Sequence, residues 1–189
     1  MNLSVRPGLR RGARLAGALL PLAALVACGG APSGASAAAP GATTRFSENG
    51  VTVTLSVFDW QGSRGTLSVV FTPEAEGFHL YSKDLPPTGV EGVGRPTAVA
   101  VTGALAAQGP LRTDSTERSI PVPGVDAPVP VYPDGPVTTT LPVRASGPGR
   151  ATVVLGYASC STRDGCTIPV SDRAVTVDVT PDGLTFTGT

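Results

Sequence analysis

Charged and aromatic side chains are scarce in this sequence of 189 residues, at 15% and 5% of the chain. No Ser-His-Asp signature, glycine-rich phosphate loop or paired-carboxylate motif stands out, so the common hydrolytic and nucleotide-binding sites are not indicated. Features that favour helices are lacking too, because 24 glycines and 19 prolines predict many turns and little helix.

The formal net charge of zero hides an uneven distribution along the chain. The first 27 residues hold four arginines, Arg6, Arg10, Arg11 and Arg14, and no acidic residue. Without them the chain keeps ten basic against 14 acidic residues, a net charge of −4. We therefore expect no basic surface for nucleic acid.

Residues 1–27 have the pattern of a signal peptide, with a basic start and an apolar run over 15–27. The run is shorter than the roughly 20 residues that cross a bilayer. Leu25-Val26-Ala27-Cys28 resembles a bacterial lipobox, which predicts a lipidated Cys28 that anchors the protein to the membrane on the extracytoplasmic, periplasmic side of the cell envelope. An ordinary signal peptide with a chance cysteine is the alternative. Residues 28–44 lack charge and consist largely of Gly, Ala, Ser and Pro, which predicts a flexible linker.

Residues 45–189 are expected to form an all-β domain. Val51, Val53, Leu55 and Val57 alternate with Thr and Ser, which is the pattern of a half-buried strand. Similar runs predict seven to eight strands and no helix, at 51–57, 66–72, 77–82, 97–101, 137–143, 151–157, 174–179 and 183–187. This spacing favours an immunoglobulin-like β-sandwich.

Other parts of the domain carry less definite predictions. Prolines make residues 103–136 irregular and exclude a central strand there, and Pro142 predicts an edge or a bulge. The expected core aromatic residues are Phe58, Trp60 and Phe71. The expected solvated loop charges are Asp114, Glu117 and Asp126.

The cysteines other than Cys28 are Cys160 and Cys166, joined by a polar loop between two predicted strands. An exported compartment permits a disulfide between them. One histidine and the two cysteines other than Cys28 are too few for a zinc site with four protein ligands, so we expect no metal and no cofactor. The residues alone leave open whether the bridge is a structural staple or a pair that exchanges with other thiols.

Three motifs resemble one known family. They are the run from Gly77 to Lys83, the tripeptide Leu141-Pro142-Val143, and Tyr157 followed by Cys160-x₅-Cys166 and Pro169. In this order they are similar to the N-terminal domain of the thiol:disulfide interchange protein DsbD, an immunoglobulin-like periplasmic module. The similarity covers the chain from about Phe46 to Val179.

The resemblance implies a redox-active Cys160–Cys166 pair with thiol:disulfide interchange, or oxidoreductase, activity. Cys166 would attack and form the mixed disulfide with thioredoxin-like partners, and Cys160 would resolve it. His79, Tyr81 and Tyr132 would lie near the pair.

Two departures from the family pattern stand out. The family covers its cysteines with a loop tipped by aromatic residues. The corresponding residues 111–136 of this chain contain one aromatic residue, Tyr132. The membrane and thioredoxin domains of the full family protein are missing from this chain, so either its electron donor is a separate membrane protein or it has none.

A second function fits the same residues. The chain could be a non-catalytic immunoglobulin-like lipoprotein that binds or scaffolds other molecules, with a structural disulfide. A bridge closing about seven residues stabilises a fold by roughly 2 kcal/mol, less than a long-range bridge does.

Overall fold

The structure is a computed structural model that describes residues 42–188. The predicted signal peptide, the lipidation at Cys28 and most of the predicted linker lie outside these residues. Within them the chain forms strands and turns, and no helix is present that could cross a bilayer.

Eight strands contain six residues or more: β1 (Thr43–Glu48), β2 (Val51–Gln61), β3 (Arg64–Pro73), β5 (Ala98–Gly103), β10 (Val137–Ala145), β11 (Gly149–Tyr157), β14 (Val170–Thr180) and β15 (Gly183–Gly188). Seven strands contain two or three residues: β4 (His79–Leu80), β6 (Leu105–Ala107), β7 (Arg112–Thr113), β8 (Arg118–Ile120), β9 (Val129–Val131), β12 (Ser159–Ser161) and β13 (Gly165–Cys166).

Two antiparallel sheets make up most of the described chain. One has the order β1-β2-β3-β10-β6, with β7 also paired to β10, and the other has the order β15-β14-β11-β5. Alternate residues of both sheets are buried in one shared core, which includes Val53 and Leu55 of β2 and Val153 and Leu155 of β11. The all-β sandwich expected from the sequence is therefore confirmed.

The strand β1 was not predicted, and it begins inside the predicted linker at Thr43. It pairs with β2 throughout its length, but its outward positions are polar and exposed. Its sequence therefore lacks the run of apolar residues that identified β2. The strand predicted at 77–82 is wrong in length, since only His79 and Leu80 are strand residues.

Residues 103–136 are more ordered than the prolines suggested, because they contain β6 to β9. Pro142 lies inside β10, which is flanked on both sides. Its carbonyl accepts from the Gln108 N–H on the side away from β3. The N–H and C=O groups of one strand residue point to the same side of the strand. The N–H that proline lacks would therefore face the gap between β6 and β7, where no strand of the described chain needs it as a donor.

The expected core aromatics fall into three environments. Phe71 is fully buried, and Trp60 packs partly buried against the core. Phe58 is 43% exposed, so its prediction as a core residue is wrong. The alternation that buries Val57 turns the next side chain outward.

The cysteines lie at one end of the sandwich, in a small sheet of order β13-β12-β4. The β1–β2 turn packs there, since the Tyr157 hydroxyl donates to the Glu48 carbonyl. Gly50 of that turn has a φ of 72°, and a Cβ on it would lie 3.2 Å from Cγ2 of Thr167. Glycine supplies both the left-handed conformation and the close approach.

Candidate functional site: a half-buried disulfide

Cys160 and Cys166 form a disulfide across a short hairpin. They are directly paired between β12 and β13, with their Cα atoms 4.0 Å apart. The turn between them is held by Ser161, whose Oγ accepts from the Arg163 and Asp164 N–H groups and donates to the Asp164 carboxylate. The bridge predicted from the sequence is therefore present, on a rigid polar turn.

The two sulfur-bearing residues differ in exposure. Cys160 is 4% exposed and packs in a small apolar cluster with Tyr81, Leu85 and Val129. Cys166 is exposed to solvent. Because thiol–disulfide exchange depends on access to the attacked sulfur, the geometry favours reaction at Cys166.

Tyr81 touches the buried sulfur. Its hydroxyl oxygen lies 2.9 Å from Sγ of Cys160 and 3.7 Å from Sγ of Cys166. A bridged sulfur carries no proton, so the hydroxyl is the donor. Burial raises the pKa of Tyr81, which keeps this hydroxyl protonated at neutral pH.

Contacts of both the backbone and the ring hold Tyr81 in place. Its backbone carbonyl accepts from Thr97 Oγ1 at 2.7 Å, and a β-bridge joins it to Val131. The backbone of Gly94, at a φ of 90°, packs against the ring so closely that a Cβ there would lie 2.7 Å from it. The position of the hydroxyl is therefore determined by the fold around it.

His79 lies directly opposite Cys160 in the β4–β12 pair and is only 2% exposed. Its Nδ1 lies 3.3 Å from Oδ1 of Asp134, which also accepts from Arg118 at 2.7 Å. Burial lowers the pKa of His79, while the Asp134 carboxylate opposes that shift. The His79 ring meets the Tyr81 ring edge-on, with centroids 6.3 Å apart.

A cavity of about 230 Å³ lies over the disulfide. It is lined by His79, Tyr81, Val93, Ile120, Pro121, Val122, Pro123, Cys160, Ser161, Thr162, Gly165 and Cys166. Residues 120–127, called the cap segment below, supply both prolines and, with Val93, the aliphatic side chains of the lining. The cover over the cysteines is therefore aliphatic.

The cap segment is tied to the loop before β5 by one carboxylate. Oε1 of Glu91 accepts from the N–H groups of Asp126 and Ala127 at 3.1 and 3.3 Å. Glu91 itself has a φ of 51°, a left-handed conformation. These two bonds place the cap segment beside Val93.

Tyr132 is not among the residues that line the cavity. It is fully buried in the main core, and its hydroxyl accepts from the Lys83 N–H at 2.9 Å. The structure thus places His79 and Tyr81 beside the disulfide and Tyr132 behind them.

Some contacts around the site were not predicted from the sequence. Asp134 contacts His79 and Arg118 contacts Asp134, an arrangement that depends on the pairing of β8 with β9 and that no local motif marks. Glu117 is exposed, as expected of a solvated charge, and it also accepts from Ser82 Oγ at 2.7 Å. Asp114 likewise accepts from the Thr138 N–H.

No protein-family model and no curated protein matches this chain. Among solved structures, the chain is similar to the crystal structure of the Neisseria meningitidis DsbD N-terminal domain in the reduced form. The similarity has a TM-score of 0.43 and 18% sequence identity, and it covers 72% of this chain and 88% of that one. That family is the one that the motifs around the cysteines resemble.

Proposed function

We propose that this domain is an extracytoplasmic thiol–disulfide exchange module that passes electrons through Cys160 and Cys166 to thioredoxin-like partners. One observation carries the proposal: a single bridge has one exposed sulfur and one sulfur buried against a hydroxyl donor. The exposed sulfur can reach a visiting protein, and the buried one stays available to resolve the adduct.

Electron transfer to the partner takes two steps. The Cys166 thiolate attacks the partner's disulfide, which forms a Cys166–partner disulfide and releases the partner's second sulfur as a thiolate. The Cys160 thiolate then attacks Sγ of Cys166, forming the internal bridge and releasing the partner's first sulfur. The partner gains two electrons and two protons, and this domain loses the same.

The membrane anchor and the electron donor belong to the same proposal. The lipobox at Cys28 would tether the domain to the membrane. Each turnover leaves Cys160 and Cys166 as a disulfide, so a separate membrane protein would then reduce this disulfide again. The lipobox supports the membrane anchor. The exposed sulfur of Cys166 supports reduction by a donor protein, because a disulfide with an accessible sulfur can be reduced by thiol–disulfide exchange.

Trapping tests the proposed exchange directly. The mature chain carrying Cys160→Ser is mixed with an envelope thioredoxin-fold protein that keeps one active-site cysteine, activated as a thionitrobenzoate mixed disulfide. We expect stoichiometric release of thionitrobenzoate and a stable protein–protein disulfide through Cys166.

The matched control is Cys166→Ser, which also lacks the bridge but leaves only the buried sulfur. It should form the adduct at least about tenfold more slowly, because exchange requires access. Equal or negligible trapping by the two variants would contradict the proposal.

A structural disulfide in a binding or scaffold module is the second candidate. The packing of Cys160 in an apolar cluster favours it, since a buried sulfur also stabilises its surroundings. A redox titration separates the two functions. Structural bridges have reduction potentials below about −300 mV, whereas exchange proteins lie above that value.

A further inference from the structure

We propose that the Tyr81 hydroxyl stabilises Cys160 as the leaving thiolate when a donor's thiolate reduces the bridge by attacking Cys166. This inference deepens the proposed function, and it concerns the step in which the domain itself is reduced. Tyr81 touches a reacting sulfur, so its role is catalytic.

The reduction step places negative charge on the buried sulfur. An incoming thiolate forms a bond to Sγ of Cys166, the Sγ–Sγ bond breaks, and its electron pair leaves on Sγ of Cys160. The attacking sulfur approaches along the extension of the S–S bond, from the side of exposed Cys166. Charge therefore develops at the end of the bridge that faces the protein interior.

Water can contribute little to stabilising that charge, because Cys160 is only 4% exposed. A donor already aimed at the sulfur replaces the lost solvation without reorganising. The Tyr81 hydroxyl meets this need at 2.9 Å, and it is nearer to Cys160 than to Cys166.

The other charged or titratable groups near Cys160 are less suited to stabilise the negative charge on its sulfur. His79 faces Cys160, but burial lowers the pKa of its ring, so it carries no charge at neutral pH. Asp134 and Arg118 lie beyond His79 and pair with each other. The cap segment contributes Ile120 and Val122 to the cavity, which carry no polar side-chain group.

The same contact serves the reverse step. When the Cys160 thiolate attacks the mixed disulfide at Cys166, the reaction passes through the same transition state. By stabilising the charge on Cys160 in that transition state, Tyr81 accelerates the equilibration in both directions.

The test compares Tyr81→Phe with Tyr132→Phe in the mature chain. Each variant removes one buried hydroxyl that makes a hydrogen bond, but only Tyr81 touches sulfur. With dithiothreitol as the reductant, Tyr81→Phe should reduce about fivefold more slowly, and Tyr132→Phe should match the wild type. In a Cys166→Ser background, Tyr81→Phe should also lower the acid dissociation constant of the Cys160 thiol about tenfold, followed by thiolate absorbance.

A second substitution guards against a loosened fold in Tyr81→Phe. Site-specific 3-fluorotyrosine at position 81 keeps the ring and makes the hydroxyl a stronger donor, so reduction should become faster. Unchanged or slower reduction with fluorotyrosine, or a wild-type rate for Tyr81→Phe, overturns the role of Tyr81.

These outcomes are independent of any protein partner, because the reductant is a small dithiol. If the Tyr81 variants follow this pattern but Cys160→Ser traps no thioredoxin-fold protein, only the proposed partner is overturned. The two failures are therefore distinguishable.

Discussion

Single residues decide which sulfur of the bridge is available. Cys160 and Cys166 are six positions apart, yet one is buried and the other is exposed. The buried one is surrounded by groups with perturbed proton affinity: burial raises the pKa of Tyr81 and lowers that of His79. The protonated Tyr81 hydroxyl therefore donates a hydrogen bond to the buried sulfur without carrying charge, and the histidine that faces Cys160 directs its Nδ1 at Asp134.

His79 predicts how stability depends on pH. Its pKa in the folded protein lies below its ordinary value of 6.5, so below about pH 6.5 the unfolded chain binds more protons than the folded one. The free energy of unfolding should therefore fall as the pH is lowered from 7 to 5, as measured by urea denaturation. His79→Gln should flatten this part of the curve.

Glu74 also titrates differently in the folded protein, and its contribution can be separated from that of His79 by the pH range. The pKa of Glu74 is also lowered, through hydrogen bonds from Ser47 and Thr52, but from 4.5, so its effect falls below the range measured. Stability that rises as the pH falls would mean that Asp134 outweighs burial at His79, and the prediction would be wrong.

Short elements, rather than the long strands, build the site. The strands β4, β12 and β13 carry His79, Cys160 and Cys166, and none of them exceeds three residues. The strands β8 and β9 pair with each other and place the cap segment that connects them over the disulfide. This aliphatic cover is held both by backbone hydrogen bonds to Glu91 and by Ile120, Val122 and Val125, which pack against the cluster around Cys160.

Glu91→Ala tests how the cap segment is held. The change removes the acceptor of the Asp126 and Ala127 N–H groups, so the segment should open more often. We expect several-fold faster hydrogen exchange at these two amides and about threefold faster reduction of the bridge by a phosphine.

Asp126→Ala is the matched control, since it removes an exposed carboxylate from the same segment and leaves the backbone bonds in place. It should behave as the wild type. If Glu91→Ala leaves both rates unchanged, the segment is held by other contacts.

At the scale of the whole molecule, the two ends of the sandwich are distinct. The chain enters β1 directly after Ala42, whose carbonyl accepts from the Val57 N–H. The disulfide lies at the other end of β2, beside the Asn49–Gly50 turn. The six residues of β1 separate this turn from Ala42, a span of about 20 Å, so the bridge lies well away from the point where the chain enters β1.

The main core contains neither cysteine, which predicts that the fold survives reduction. Reduced protein should keep its far-ultraviolet circular dichroism and lose roughly 2 kcal/mol of stability in urea denaturation. An exchange module must tolerate this cycle. Unfolding on reduction would instead indicate that the bridge is a structural staple.

The sequence alone was sufficient for the features that depend on local pattern. Alternating apolar residues predicted β2 and its buried face, because the side-chain period of a strand is two. The spacing of Cys160 and Cys166 in a polar loop predicted a hairpin bridge. The motif from Gly77 to Lys83, through the family resemblance, predicted that His79 and Tyr81 lie near the pair, and both line the cavity.

Only the tertiary structure decided which groups meet at the bridge. The Tyr81 hydroxyl is 79 residues away from Cys160 in sequence, and Glu91 is 35 away from Asp126. Such distances are set by the packing of whole sheets, to which each residue contributes little. Burial follows from the same packing, so the difference between an enclosed and an open sulfur could not be read from two cysteines with similar neighbours.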